Sequence, residues 1–110
     1  MLEELIKEIH QNLTETDELS VLADWNMSLS AEFAHMAMQL AEVKKERARD
    51  ELALGLQILA SKGKYTDKNV EREYFNTERG RYYMYATEML KAVGKLISAI
   101  RFKIKMLSPI

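Results

Sequence analysis

The chain has 110 residues, 47% apolar and 30% charged, with a formal net charge of −1, so it is sized for one helix-rich globular domain and too apolar for a disordered tail. It has no cysteine, which excludes disulfides, thiolate metal sites and thiol nucleophiles, and this fits a reducing cytoplasm. Four glycines and one proline are too little punctuation for a β fold, and neither a leader-like start nor an eighteen-residue uncharged apolar run is found, so no membrane partner is expected.

The first predicted helix covers about residues 2–13, where Leu2, Leu5, Ile6, Ile9 and Leu13 form one apolar stripe. The stretch from Asn12 to Asp17 is rich in capping residue types, with Thr14 and Asp17 spaced as in a capping box, and predicts a break. The second helix is expected over about 18–62. Leu22, Leu29, Phe33, Met36, Leu40 and Val43 alternate at threes and fours as a packing seam, with Trp25 beside it. A small-residue face, Ala23, Ser30, Ala34, Ala37 and Ala41, runs next to it and allows another helix to come close.

Gly63 is placed to end this helix in the left-handed conformation, and Thr66 to cap the next, with Tyr65 and Val70 as a hydrophobic staple. The third helix is expected over about 67–107 on the stripe Val70, Tyr74, Tyr82, Tyr85, Met89, Val93, Leu96, Ile97, Ile100, Ile104 and Leu107, running unbroken through Gly80 and Gly94. The prediction is one all-α domain over 1–110, a short N-terminal helix plus a long antiparallel hairpin. A helix of about 45 residues is roughly 65 Å long, more than a helix of a dozen residues can cover. Met27, Ala34, Met38 and Ala41 are therefore the expected interface of a homo-oligomeric bundle; a hairpin folded back near Gly55 or Gly80 is the alternative.

Charge is polarised. Residues 1–32 hold eight acids and one lysine, whereas 89–110 hold Lys91, Lys95, Arg101, Lys103 and Lys105 with no acid. The charged stretch 44–51 is expected opposite 76–81, with Arg47, Asp50, Glu78 and Arg81 near the seam. It reads first as interhelical salt bridges and second as a phosphate groove. The basic end reads as charge complementarity within the fold or as a strip for a nucleic-acid backbone, with Tyr82, Tyr83, Tyr85 and Phe102 nearby. Tyr83 lies off the stripe and is the aromatic expected to be exposed. Glu32 and His35 match a carboxylate–histidine metal spacing, but His35 points away from the seam, so no metal is expected; His10 reads as a surface residue. Neither a phosphate loop nor a hydrolase signature is found, so neither enzymatic activity, a cofactor nor a small-molecule substrate is expected.

The stretch Ala-Glu-Val-Lys-Lys-Glu-Arg-Ala-Arg-Asp at 41–50, the turn Gly63-Lys-Tyr-Thr66 and the Tyr/Glu/Arg-rich helix ending Ile100-Arg-Phe-Lys-Ile-Lys105 together resemble the phage recombination mediators of the UvsY type. The resemblance spans roughly 22–107 and implies an oligomeric accessory protein of DNA recombination and replication, working in the host cytoplasm, that binds single-stranded DNA. It makes Lys44, Lys45, Arg47 and Arg49, with Lys91, Lys95, Arg101, Lys103 and Lys105, the candidate DNA contacts. The alternatives are a helical protein-binding adaptor or inhibitor, and a virion or scaffold component that does not bind nucleic acid.

Overall fold

A computed structural model describes residues 2–108. Among these residues the fold is all α, with no strand: α1 Leu2–Asn12, α2 Leu19–Lys62, α3 Asp67–Phe75 and α4 Glu78–Leu107. None of the helices is long and apolar enough to cross a membrane. The residues group into two compact units, one of residues 1–36 with 89–110 and one of residues 37–88.

In the first unit the predicted α1 stripe is the buried one. Leu2 and Ile9 pack with Leu22, Trp25 and Leu29 of α2 and with Val93, Leu96, Ile97 and Ile100 of α4, and Leu5, Ile6 and Leu13 close the edge. Each such side chain contributes about 1.5–3 kcal/mol by leaving water. The chain leaves α1 where Asn12 Nδ2 donates to the Glu8 carbonyl (2.8 Å) and Thr16 Oγ1 to the Asn12 carbonyl (2.7 Å). Lys103 Nζ donates to the Leu13 carbonyl and lies 3.6 Å from Asp17, which ties this turn to α4. Within the unit α2 and α4 run antiparallel, since Arg101 Nε donates to Asn26 Oδ1 at 3.2 Å and Gly94 faces Phe33.

In the second unit α2 ends at Gly63, whose φ of 76° is the left-handed conformation that glycine takes without strain. Thr66 then accepts from the Asn69 amide (3.2 Å) as the cap of α3, and Tyr65 and Val70 meet over Gly55. The predicted third helix is two helices. The chain breaks at Asn76–Thr77, where Thr77 Oγ1 donates to the Tyr74 carbonyl (2.6 Å) and accepts from the Gly80 amide (3.0 Å). One hydroxyl thus closes α3 and caps α4. Gly80 is what permits the turn, because a Cβ there would stand 1.9 Å from the Tyr74 carbonyl oxygen. Beyond the break the buried stripe is Ala86, Val93, Leu96, Ile97 and Ile100; Tyr85 and Leu107, expected in it, are exposed.

Candidate functional site

The charged stretch of α2 spends much of its charge inside the second unit. Arg47 projects from α2 into a three-ring cage: its guanidinium carbon lies 5.0 Å from the Tyr74 ring centre, 5.1 Å from Phe75 and 4.9 Å from Tyr83. Tyr74 and Phe75 come from the last turn of α3 and Tyr83 from α4, and the rings meet edge-on with centres 5.4–6.3 Å apart. This presents ring faces to the cation, the favourable side of the aromatic quadrupole. Arg47 Nε donates to Glu51 Oε1 at 2.7 Å, and Glu71 lies 4.0 Å from the guanidinium. The side chain is only 25% exposed. Tyr83, expected to be free, is a wall of the cage; the well-exposed aromatics are Phe102, Tyr65 and Tyr85.

Asp50 is held by Arg79, with Nη1 at 3.0 and 3.1 Å from its two oxygens, an interhelical salt bridge as expected for this stretch, whereas Arg81 is exposed. Tyr82 donates to Gln39 Oε1 at 2.7 Å. The hollow beside the break, about 430 Å³, is lined by Asp50 and Glu78 as well as Arg79. Two carboxylates against one guanidinium disfavour a phosphate there. Burial pushes the Tyr74 phenol up from its ordinary range, against the pull of Arg47, and burial pushes Tyr82 up likewise.

The other candidate DNA contacts divide. Lys44 lies over the Tyr83 ring at 6.0 Å, Lys45 is exposed, and Arg49 is exposed with only a 3.7 Å contact to Glu46. Lys103 is drawn inward by Leu13 and Asp17, and Arg101 is exposed beside Asn26. Lys91, Lys95, Phe102 and Lys105 are exposed, and their steps of four, seven and three residues put them on one face of α4. Phe102, 65% exposed, stands on that face at the rim of an apolar groove of about 450 Å³ that Leu13 and Met106 also line. Sequence reasoning noted these lysines and this phenylalanine without seeing that they share a face; the three-and-four spacing carried that signal.

Of the candidate interface, Met27 and Ala34 in the first unit and Met38 and Ala41 in the second are all exposed. The second unit adds Leu52, Leu56 and Leu59, exposed on the last turns of α2, which the sequence reading had not singled out. Glu32 and His35 are exposed, as is His10, and among the described residues no group of three or more histidine and carboxylate side chains could hold a metal ion. No protein-family model, curated protein or solved structure matches this chain.

Proposed function

We propose that this chain is a self-associating helical accessory protein of DNA recombination and replication that binds single-stranded DNA through the outer face of the C-terminal half of α4. The supporting observation is the exposed stripe of Lys91, Lys95, Phe102 and Lys105 in a segment with five basic and no acidic residues. Lysines along one helix face match a phosphate backbone without reading sequence, and an exposed ring among them can stack on an unpaired base. The resemblance to recombination mediators points the same way. Arg47 and Lys103 drop out of the contact set, because the fold uses both internally.

Fluorescence anisotropy with a labelled single-stranded oligonucleotide at low salt tests the reading. Binding through about three lysines predicts log affinity falling against log salt with a slope near −2. Lys95→Glu with Lys105→Glu should abolish binding, and Phe102→Ala should weaken it about tenfold. An absence of binding at tens of micromolar protein refutes the proposal.

A second reading, a protein-binding adaptor, draws on Leu52, Leu56 and Leu59, an exposed apolar ridge on the last turns of α2. It predicts one stoichiometric protein partner and indifference to nucleic acid.

A further inference from the structure

Along α2 in the second unit the exposed large apolar residues Met38 and Leu52 belong to a regular outer seam. Met38, Ala41, Lys45, Ala48, Leu52 and Gly55 alternate at threes and fours, which is a heptad repeat. Met38 is 72% exposed and Leu52 64%, and Ala41, Lys45 and Ala48 between them are exposed as well, while Gly55 at the end of the seam is buried under Tyr65 and Val70. From the structure we infer that it pairs with the same seam of a second copy, antiparallel, about a two-fold axis between Glu46 and Arg47 of α2. The inference rests on the self-association part of the proposed function and names its geometry.

The sizes of the seam residues support this arrangement. Large and small residues occupy alternate seam positions, so antiparallel pairing sets each large side chain against a small one. Leu52 falls against Ala41 of the second copy, the stem of Lys45 against Ala48, and Met38 against Tyr65 and Val70, which lie over the buried Gly55. Small partners allow two helices to approach closely while the large ones fill the space between them. Met38 of the second copy enters a groove of about 270 Å³ that Leu52, Tyr65 and Val70 line above the buried Gly55. Lys45, the polar member, keeps its ammonium in water, and a single such residue in a seam fixes register.

The charges flanking the seam choose the register. In this one, Glu42 lies opposite Arg49 of the second copy and Lys44 opposite Glu51. The two-fold repeats both, so four attractive pairs bracket the centre. Sliding by one heptad in one direction sets Glu42 against Glu42 and Lys44 against Lys44; sliding in the other sets Arg49 against Arg49 and Glu51 against Glu51. Parallel pairing sets Lys44 beside Arg49. Like charges across an interface suppress the wrong partner. Among the described residues Arg49 has only the 3.7 Å contact with Glu46 to give up, and Glu51 keeps the oxygen that Arg47 does not use.

The test uses the full chain, whose lack of cysteine gives a clean background. Ala41, Glu42, Arg49 and Leu52 are all exposed, so the variants should fold, as far-UV circular dichroism will check. Under mild oxidation the double variant Ala41→Cys, Leu52→Cys should form a covalent dimer and either single variant should not. In sedimentation equilibrium Glu42→Arg should weaken the dimer about tenfold, and adding Arg49→Glu should restore it to within about threefold. Cross-linking by Ala41→Cys alone indicates parallel pairing and overturns the inference. Association that ignores Glu42→Arg overturns this seam and leaves self-association to another face. A single-chain mass for the parent protein at every concentration overturns both.

Discussion

Gly80→Ala separates the geometry of the break from ordinary helix propensity, because the two predict opposite signs. Position 80 lies in the first turn of α4, where alanine is on propensity about 1 kcal/mol better than glycine. In this fold the added methyl would stand 1.9 Å from the Tyr74 carbonyl oxygen, 2.6 Å from its carbonyl carbon and 2.8 Å from Phe75 Cα. All three are backbone atoms, so no rotamer change relieves the overlap. An ordinary carbon–oxygen contact is about 3.3 Å, so the two helices must part by more than an ångström. That shift breaks the Thr77 bonds to Tyr74 and Gly80. Losing the cap costs about 1 kcal/mol and the forced displacement about 1–3 kcal/mol, against the 1 kcal/mol propensity gain. The expected net is a loss of about 1–3 kcal/mol, or a fall in Tm of roughly 4–12 °C at about 4 °C per kcal/mol. Thermal melts followed at 222 nm measure it. Gly94→Ala is the control: its methyl would meet only Phe33 Cε2 at 3.8 Å, so it should be neutral or stabilising by up to about 1 kcal/mol. A Gly80→Ala protein that melts higher than the parent would refute the close approach and restore one continuous helix.

Arg47→Met should cost about 1–3 kcal/mol in urea denaturation, because three ring contacts and the Glu51 bond are lost together, and Arg47→Lys should recover less than half of it. DNA affinity should stay within about twofold; unchanged stability with lost binding would show that this guanidinium faces the ligand. The Tyr74 hydroxyl is buried with no hydrogen-bond partner among the described residues, so Tyr74→Phe should be neutral or stabilising by about 1 kcal/mol near pH 7. With the Tyr74 and Tyr82 phenols pushed up by burial, their contribution is complete below about pH 10, the unfolded value, and is lost as pH rises through the higher folded values. Melts taken from about pH 8 to 11 should show that decline, and Tyr74→Phe should make it shallower.

What was legible in the sequence was whatever one residue type settles locally. Gly63 needs no neighbour to favour a left-handed φ, and Thr66 needs only an amide three residues on, so the turn before α3 reads directly from the chain. The α1 stripe is similar, since one helical face against one core leaves little choice of phase. The break at Asn76–Thr77 was hidden because the apolar stripe has no member between Tyr74 and Tyr82. Across that gap a continuous helix and a kinked one predict the same residues on either side. The kink then moves the buried position from Tyr85 to Ala86, and aromatic bulk argued for the wrong member of the pair.

The same gap explains why the role of Arg47 was out of reach. Two of its three rings lie before the break and one after it, and only the turn at Thr77 brings Phe75 and Tyr83 within 6.1 Å of each other. Its place near the seam made Arg47 read as a salt-bridge partner and the resemblance made it a candidate DNA contact, since a sequence shows that a guanidinium is present and says nothing of which faces surround it. Once the cage holds Arg47, and Leu13 and Asp17 hold Lys103, the remaining cations sort by exposure. Lys91, Lys95 and Lys105 share a helix face with an exposed ring, whereas Lys44 and Arg49 flank an apolar seam on α2 among carboxylates. The first arrangement suits a polyanion and the second suits another copy of the same helix. On the proposed function the chain's basic residues divide between two tasks, and Lys95→Glu and Glu42→Arg should fail in different assays.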